Sequence, residues 1–296
     1  MISFIDQWKL GVYGAKEVAQ SLLLILLFFF IGNLPASIVF AKHGVIDLHT
    51  ATQVLGFQTV FVLQMIPFIA VLLAFLFSIK RIHKVDGLTW VTARAKPSVS
   101  KVLLAFAFWS TFMLLTVLVQ FAVNPQSLAW NFEADSFFRA LLLLLLFLPL
   151  QVLAEELLFR SYALQGLNAR LKKPWLAAVL SGIMFGMMHL GNPEIKEYGM
   201  VFILAYSVLG TFLSIITALD GGIELAFGFH FANNLWAGIL VTSKEQALQI
   251  PALFSSNSGS FDGLSMGLLL LGLTAFFALF KRLFGWKLSA LIQNNP

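Results

Sequence analysis

Ionisable and amide side chains interrupt three strongly apolar stretches of the sequence. The residues are Glu155, Glu156, Arg160, His189, His230 and Asn234. An ionisable side chain at the centre of a bilayer costs about 3 kcal/mol or more, so each such residue is a candidate for function. Because these residues fall in three separate apolar stretches, a common cavity explains them better than three unrelated structural roles.

The spacing of these residues suggests different tasks for the two carboxylates. Glu156 and Arg160 are four residues apart with the acid first, which is the favourable order for a helical ion pair. This pairing would leave Glu155, about 100° round the helix, free for other work. A carboxylate beside an imidazole can take a proton from water and later return it to a leaving amine. His230 and Asn234, also four residues apart, can donate hydrogen bonds to a tetrahedral oxyanion.

Each residue alone also has a structural interpretation. A Glu–Arg pair near a helix end often clamps or anchors the helix, and single His or Asn side chains often form interhelical hydrogen bonds. A metal site is a further alternative, since Glu155, His189 and His230 could hold zinc or another divalent ion with an open position. The sequence has no His-Glu-x-x-His pattern, so it leaves metal dependence open.

The composition places the helices that carry these residues in lipid. Of 296 residues, 59% are hydrophobic and 11% are charged, and the mean hydropathy is +0.88. Soluble domains carry about 25% charged residues. The lack of cysteine excludes disulfides and cysteine nucleophiles. We therefore predict an all-α, polytopic transmembrane helical bundle in the cell membrane. Its net charge of +5 reflects basic residues flanking the spans and not nucleic-acid binding.

Eight segments approach the roughly 20 apolar residues that a span requires. They are Val18–Ala41, Val54–Ile79, Val102–Val123, Phe137–Phe159, Trp175–Leu190, Gly199–Leu219, Ile223–Val241 and Leu264–Phe280. With the N-terminus in the cytoplasm, the outside segments keep only four of the 19 Lys and Arg residues, namely Lys42, Arg139, Lys196 and Lys244. The positive-inside rule thus predicts eight spans with both termini cytoplasmic. Residues 1–296 are expected to form a single membrane domain, with the catalytic core at 137–241.

Three motifs in order resemble those of the CAAX-protease and bacteriocin-processing family (CPBP, also called Abi), which includes the type II CAAX prenyl endopeptidases. They are Glu155-Glu156-x-x-x-Arg160, Phe185-x-x-x-His189 and His230-x-x-x-Asn234. The resemblance implies an intramembrane endopeptidase in which Glu155 and His189 activate water. It also implies that His230 and Asn234 stabilise the oxyanion, while Glu156 and Arg160 form a supporting ion pair. Both a glutamate-dependent and a metal-dependent mechanism are compatible with the resemblance.

The partners expected from this resemblance are the lipid bilayer and a peptide or protein substrate, either prenylated or a secreted peptide precursor. The main alternative is a non-enzymatic membrane immunity or partner-binding protein on the same scaffold. A third is a proton-coupled transporter, whose internal repeats are not visible in this sequence. The intact motif residues favour the enzyme.

The predicted spans place the motifs at unequal depths. Counting about 1.5 Å per residue, Glu155 lies near the cytoplasmic end of the fourth span, whereas His189 lies in the outer half of the fifth. For Glu155 and His189 to meet at one depth, the fourth span must be tilted or must lie lower in the membrane. Alternatively, the chain must form an irregular turn near residues 191–193.

Overall fold

The computed structural model describes residues 2–256 and 263–292, and it confirms the predicted all-α bundle. The α-helices in these residues are α1 (Ala15–His43), α2 (Leu48–Leu55), α3 (Phe57–Phe77), α4 (Val99–Val123), α5 (Ala134–Glu156), α6 (Leu164–Leu171), α7 (Pro174–Met187), α8 (Pro193–Tyr198), α9 (Met200–Asp220), α10 (Glu224–Leu240), α11 (Gly263–Phe284) and α12 (Ser289–Ile292). Short 3-10 helices cover Phe4–Leu10, Gly87–Trp90 and Pro125–Ser127, and π-helical segments cover Ser78–Ile82 and Leu157–Ala163.

Three short strands form a small sheet beside the helices. They are β1 (Leu128–Trp130), β2 (Val241–Thr242) and β3 (Phe254–Ser256). β3 lies in the middle, antiparallel to β1 and parallel to β2. The sheet therefore joins the segment that precedes α5 to the segment that follows α10.

All eight predicted segments are helical, but they differ in length. Six helical stretches in the described residues are long and apolar enough to cross a membrane: Ala15–His43, Phe57–Ile82, Val99–Val123, Ala134–Leu171, Met200–Asp220 and Gly263–Phe284. The other two segments form α7, with 14 residues, and α10, with 17. The eight spans and cytoplasmic termini stay predictions, and residues 1 and 293–296 lie outside the described residues.

Cysteine labelling can test this topology in the full-length protein, because the natural chain contains no cysteine. With the predicted orientation, an impermeant thiol reagent added outside intact cells should label Asn131→Cys and Ser256→Cys. It should label Lys173→Cys only after the membrane is opened. Labelling of Ser256→Cys only in opened cells would contradict the eight-span arrangement.

The helix that carries the first motif is longer than predicted, which removes the difference in depth. It runs from α5 through the π-helical segment and α6 as far as Leu171. From Glu156 the chain runs toward the predicted cytoplasmic side as far as Leu171. After a turn it rises by the same number of residues from Pro174 to His189, about 22 Å at the helical rise. The two arms of this hairpin therefore bring the first and second motifs to the same level.

Two glycines let α7 pack closely against α9. A Cβ atom at Gly182 would overlap the backbone of Thr211, and one at Gly186 would overlap the hydroxyl of Ser207. Small residues four apart on a membrane helix permit such a close approach of a neighbouring backbone. The contact fixes α7, and with it the second motif, against α9.

Charged side chains close the end of the bundle that we predict to face the cytoplasm. Asp220 ends α9 and Glu224 begins α10. Nη2 of Arg94 lies 3.1 Å from Asp220 Oδ2 and 2.6 Å from Glu224 Oε2. Lys101 Nζ lies 2.5 Å from Asp220 Oδ1. These ion pairs tie the segment before α4 to the α9–α10 turn, so they set the position from which α10 carries His230 into the bundle.

Candidate active site

A π-helical segment follows the paired carboxylates directly. It spans Leu157–Ala163 and separates α5 from α6. Such segments are rare in helices and frequently occur at functional sites. Ser181 of α7 donates its hydroxyl hydrogen to the carbonyl oxygen of Phe159, 2.7 Å away, so α7 is bonded directly to this irregular turn.

Glu156 lies at the centre of the polar cluster and is completely buried. Its Oε1 atom is 3.3 Å from Nη1 of Arg160 and 2.7 Å from Nδ1 of His230. Arg160 is also completely buried, and its Cζ atom lies 4.3 Å from the ring centroid of Phe185. The structure thus contains the predicted Glu156–Arg160 ion pair. It adds a contact with His230, which joins the first motif to the third.

Glu155 is less free than its helical position suggested. Gln151, one turn earlier, donates from Nε2 to Glu155 Oε1 at 2.5 Å. The second carboxylate oxygen, Oε2, lies 3.6 Å from Nε2 of His230, which is too long for a hydrogen bond. Within the described part of the chain, this Oε2 atom has no hydrogen-bond partner. The prediction of a free carboxylate is therefore right for one oxygen and wrong for the other.

His230 bridges the two carboxylates and also contacts Asn234. An ionised carboxylate only accepts hydrogen bonds, so the 2.7 Å contact makes Nδ1–H the donor to Glu156. Asn234 Nδ2 lies 3.2 Å from His230 Nε2 and 3.2 Å from Gln151 Oε1. Asn234 therefore uses its N–H groups within the cluster. Asn234 can bind an oxyanion only if substrate binding breaks one of these two hydrogen bonds.

His189 lies within the predicted span Trp175–Leu190, but in the turn just after α7, which ends at Met187. Its Nδ1 atom is 2.8 Å from the carbonyl oxygen of Phe185, so Nδ1–H donates and a neutral ring keeps its lone pair on Nε2. The Phe185 ring centroid lies 4.7 Å from that of His189 and 5.7 Å from that of His230. Five predicted residues thus form a cluster of direct contacts, and His189 joins it through Phe185.

Two residues of the site were missed by sequence reasoning. Gln151 had a detectable signal, because it is an amide in an apolar run, one turn from Glu155 on the same helix face. Tyr206 stacks on His189, with centroids 4.0 Å apart and planes at 20°. A single tyrosine in an apolar helix carries no comparable signal.

The residues considered as metal ligands do not form a metal site in this structure. In the described ranges, no group of three or more His, Cys, Asp or Glu side chains could hold a metal ion. Both ring nitrogens of His230 are within hydrogen-bond distance of Glu156 and Asn234. His189 keeps a lone pair on Nε2, but it belongs to no such group. The donors of the described residues therefore do not form a metal site with three protein ligands.

Comparisons with known proteins find a sequence match over the part of the chain that contains the three motifs. Residues 137–236 match the family model described as type II CAAX prenyl endopeptidase Rce1-like. The chain is 29% identical over 174 residues to the uncharacterized protein YyaK of Bacillus subtilis (strain 168), a match that covers 58% of each chain. No solved structure matches the chain significantly. The chain is therefore a multi-pass membrane protein whose residues 137–236 are similar to the type II CAAX prenyl endopeptidase Rce1-like family.

Proposed function

We propose that this chain is an intramembrane endopeptidase that hydrolyses a peptide bond with a water molecule activated by Glu155 and His189. The observation that carries the proposal is the Glu155 carboxylate. Gln151 holds one of its oxygens at 2.5 Å, and the other has no hydrogen-bond partner among the described residues. A carboxylate fixed in this way, at the level of two histidines, is suited to act as a general base.

Water activation would use two acceptors. His189 has its Nε2 lone pair available, because Nδ1–H is bonded to the Phe185 carbonyl. Water donates one hydrogen bond to this nitrogen and the other to Glu155 Oε2. As the water oxygen forms a bond to the substrate carbonyl carbon, its proton passes to Glu155 and the carbonyl electrons move to oxygen.

The resulting oxyanion requires hydrogen-bond donors. Glu156 can support an imidazolium at His230, as carboxylates do in other hydrolases, because it accepts the Nδ1–H bond at 2.7 Å. If His230 takes a proton from solvent at Nε2, and so loses the bond that it accepts from Asn234, it would present Nε2–H to the oxyanion. Asn234 would add a second donor by giving up its bond to His230 or Gln151. The Arg160 guanidinium, with Nη1 3.3 Å from Glu156 Oε1, places a positive charge beside this carboxylate.

Collapse of the tetrahedral intermediate completes the reaction. The oxyanion electrons re-form the carbonyl and the bond from carbon to nitrogen breaks. Glu155 then returns its proton to the leaving nitrogen, so the products are a carboxylic acid and an amine, which exchange a proton to become a carboxylate and an ammonium group. Glu155 is ready for another cycle without a net change in charge.

The proposed substrate is a peptide or protein segment at the membrane. A prenylated C-terminus and a secreted peptide precursor both fit this proposal, and an assay should contain both. The cluster is buried in the bundle, near its predicted cytoplasmic end. His230 is only six residues, about 9 Å, beyond the charged end of α10 at Glu224. A scissile segment would therefore have to enter the bundle from its predicted cytoplasmic side or from the bilayer.

A cleavage assay tests the proposal and the metal alternative together. The purified full-length chain, in detergent or lipid discs, should cut at least one peptide in a mixture of prenylated and unmodified sequences, as read by mass spectrometry. Because the side chains do not form a metal-ligand group, we expect the rate to survive dialysis against a strong chelator. Loss of cleavage on chelation, with recovery on adding zinc, would contradict the glutamate mechanism.

A further inference from the structure

Glu194 is a buried carboxylate outside the three motifs. It lies in α8, between α7 and α9, and only 7% of the residue is exposed. Asn192 Nδ2 donates to Glu194 Oε1 at 2.9 Å, and the Tyr206 hydroxyl donates to the same oxygen at 2.5 Å. Burial of a carboxylate costs free energy unless such bonds compensate for it. The bond from Asn192 fixes the Glu194 carboxylate, and this carboxylate in turn holds the Tyr206 hydroxyl in place.

Tyr206 connects this carboxylate to His189. The two rings are stacked at 4.0 Å, and the His189 ring is also bonded through Nδ1–H to the Phe185 carbonyl. The stacking fixes the plane of the imidazole, and the hydrogen bond fixes its rotation within that plane. Together the two contacts set the direction of Nε2.

We propose that Glu194 and Tyr206 are positioning residues for His189. Glu194 holds the Tyr206 hydroxyl, and the Tyr206 ring holds the imidazole with Nε2 directed at the reacting water. This inference rests on the proposed function, and it assigns neither residue a contact with substrate. The alternative is that the same bonds only close the turn between α7 and α9.

Kinetics of conservative variants separate these two roles. Tyr206→Phe keeps the stacked ring and loses the bond to Glu194, and Glu194→Gln keeps an acceptor without its charge. Each should lower kcat about tenfold, because the imidazole is less precisely held, and leave KM unchanged. The double variant should be no slower than Tyr206→Phe, since Tyr206→Phe already removes the linkage that Glu194→Gln only weakens. Additive losses, or a raised KM with kcat intact, would overturn the positioning role.

Glu197→Gln is the matched control, because Glu197 lies in the same short helix but is exposed. It should leave both kinetic constants unchanged. If Glu194→Gln does not fold, Tyr206→Phe alone still decides the question, since it removes the linkage without changing a charge. Wild-type kcat in Tyr206→Phe would overturn the proposal.

A spectroscopic measurement does not depend on a substrate. The ring current of Tyr206 should shift the NMR signals of the His189 imidazole, which His189→Ala identifies among the five histidines of the chain. Tyr206→Leu should abolish this shift, and Glu194→Gln should reduce it. An unchanged signal in Glu194→Gln would overturn the link between Glu194 and His189. If the signals move as expected while the wild type cleaves no peptide, the proposed function fails and the positioning stands.

Discussion

Replacing Glu156 by glutamine is expected to lower the free energy of unfolding by about 3–5 kcal/mol, the usual cost of breaking a buried ion pair. The amide can still accept the bond from His230, but it leaves the completely buried Arg160 without its ion-pair partner. Arg160→Ala should destabilise to a similar degree. Thermal unfolding in detergent, beside the wild type, measures both shifts.

The same helix supplies a matched control. Asp135 and Arg139 of α5 form an ion pair with the same spacing, but 81% and 51% of their side chains are exposed. Because exposed pairs contribute only about 0.5 kcal/mol, Arg139→Ala should barely move the unfolding midpoint. Equal shifts in the exposed and buried variants would show that the Glu156–Arg160 pair does not anchor the site.

Replacing Glu155 by glutamine is expected to lower turnover about 100-fold or more, because the amide cannot accept a proton from water. The protein should stay folded, since a neutral amide at this partly buried position costs no more than the carboxylate. Glu133→Gln, at an exposed position before α5, is the control and should keep full activity. An unstable Glu155→Gln and an inactive, stable Glu156→Gln would mean that the two carboxylates have exchanged roles.

Apolar patterning was sufficient to predict the bundle. Each of the eight apolar segments is helical, because lipid-exposed backbone must satisfy its hydrogen bonds internally. The glycines of α7 indicate that a neighbouring backbone approaches closely, since only a residue without Cβ permits that approach, and the structure shows this neighbour to be α9. The polar residues in three apolar segments predicted a common cavity, but not which side chains would touch.

Contacts between distant helices could not be predicted in this way. Spacing along one helix predicted the Glu156–Arg160 pair, but no local rule places His230 on the same carboxylate. Hydropathy also ended the fourth span too early, because a helix can continue after its composition becomes polar. Only that continuation to Leu171 explains why the first two motifs lie level.

The most direct test of the central claim is a cleavage reaction in water enriched in heavy oxygen, with the wild type and Glu155→Gln compared in the same preparation. If a water activated at Glu155 attacks the peptide bond, wild-type products should carry one heavy oxygen in each new C-terminal carboxyl group. The Glu155→Gln protein should form almost none of these products in the same time. Equal amounts of labelled product from both proteins would contradict the claim.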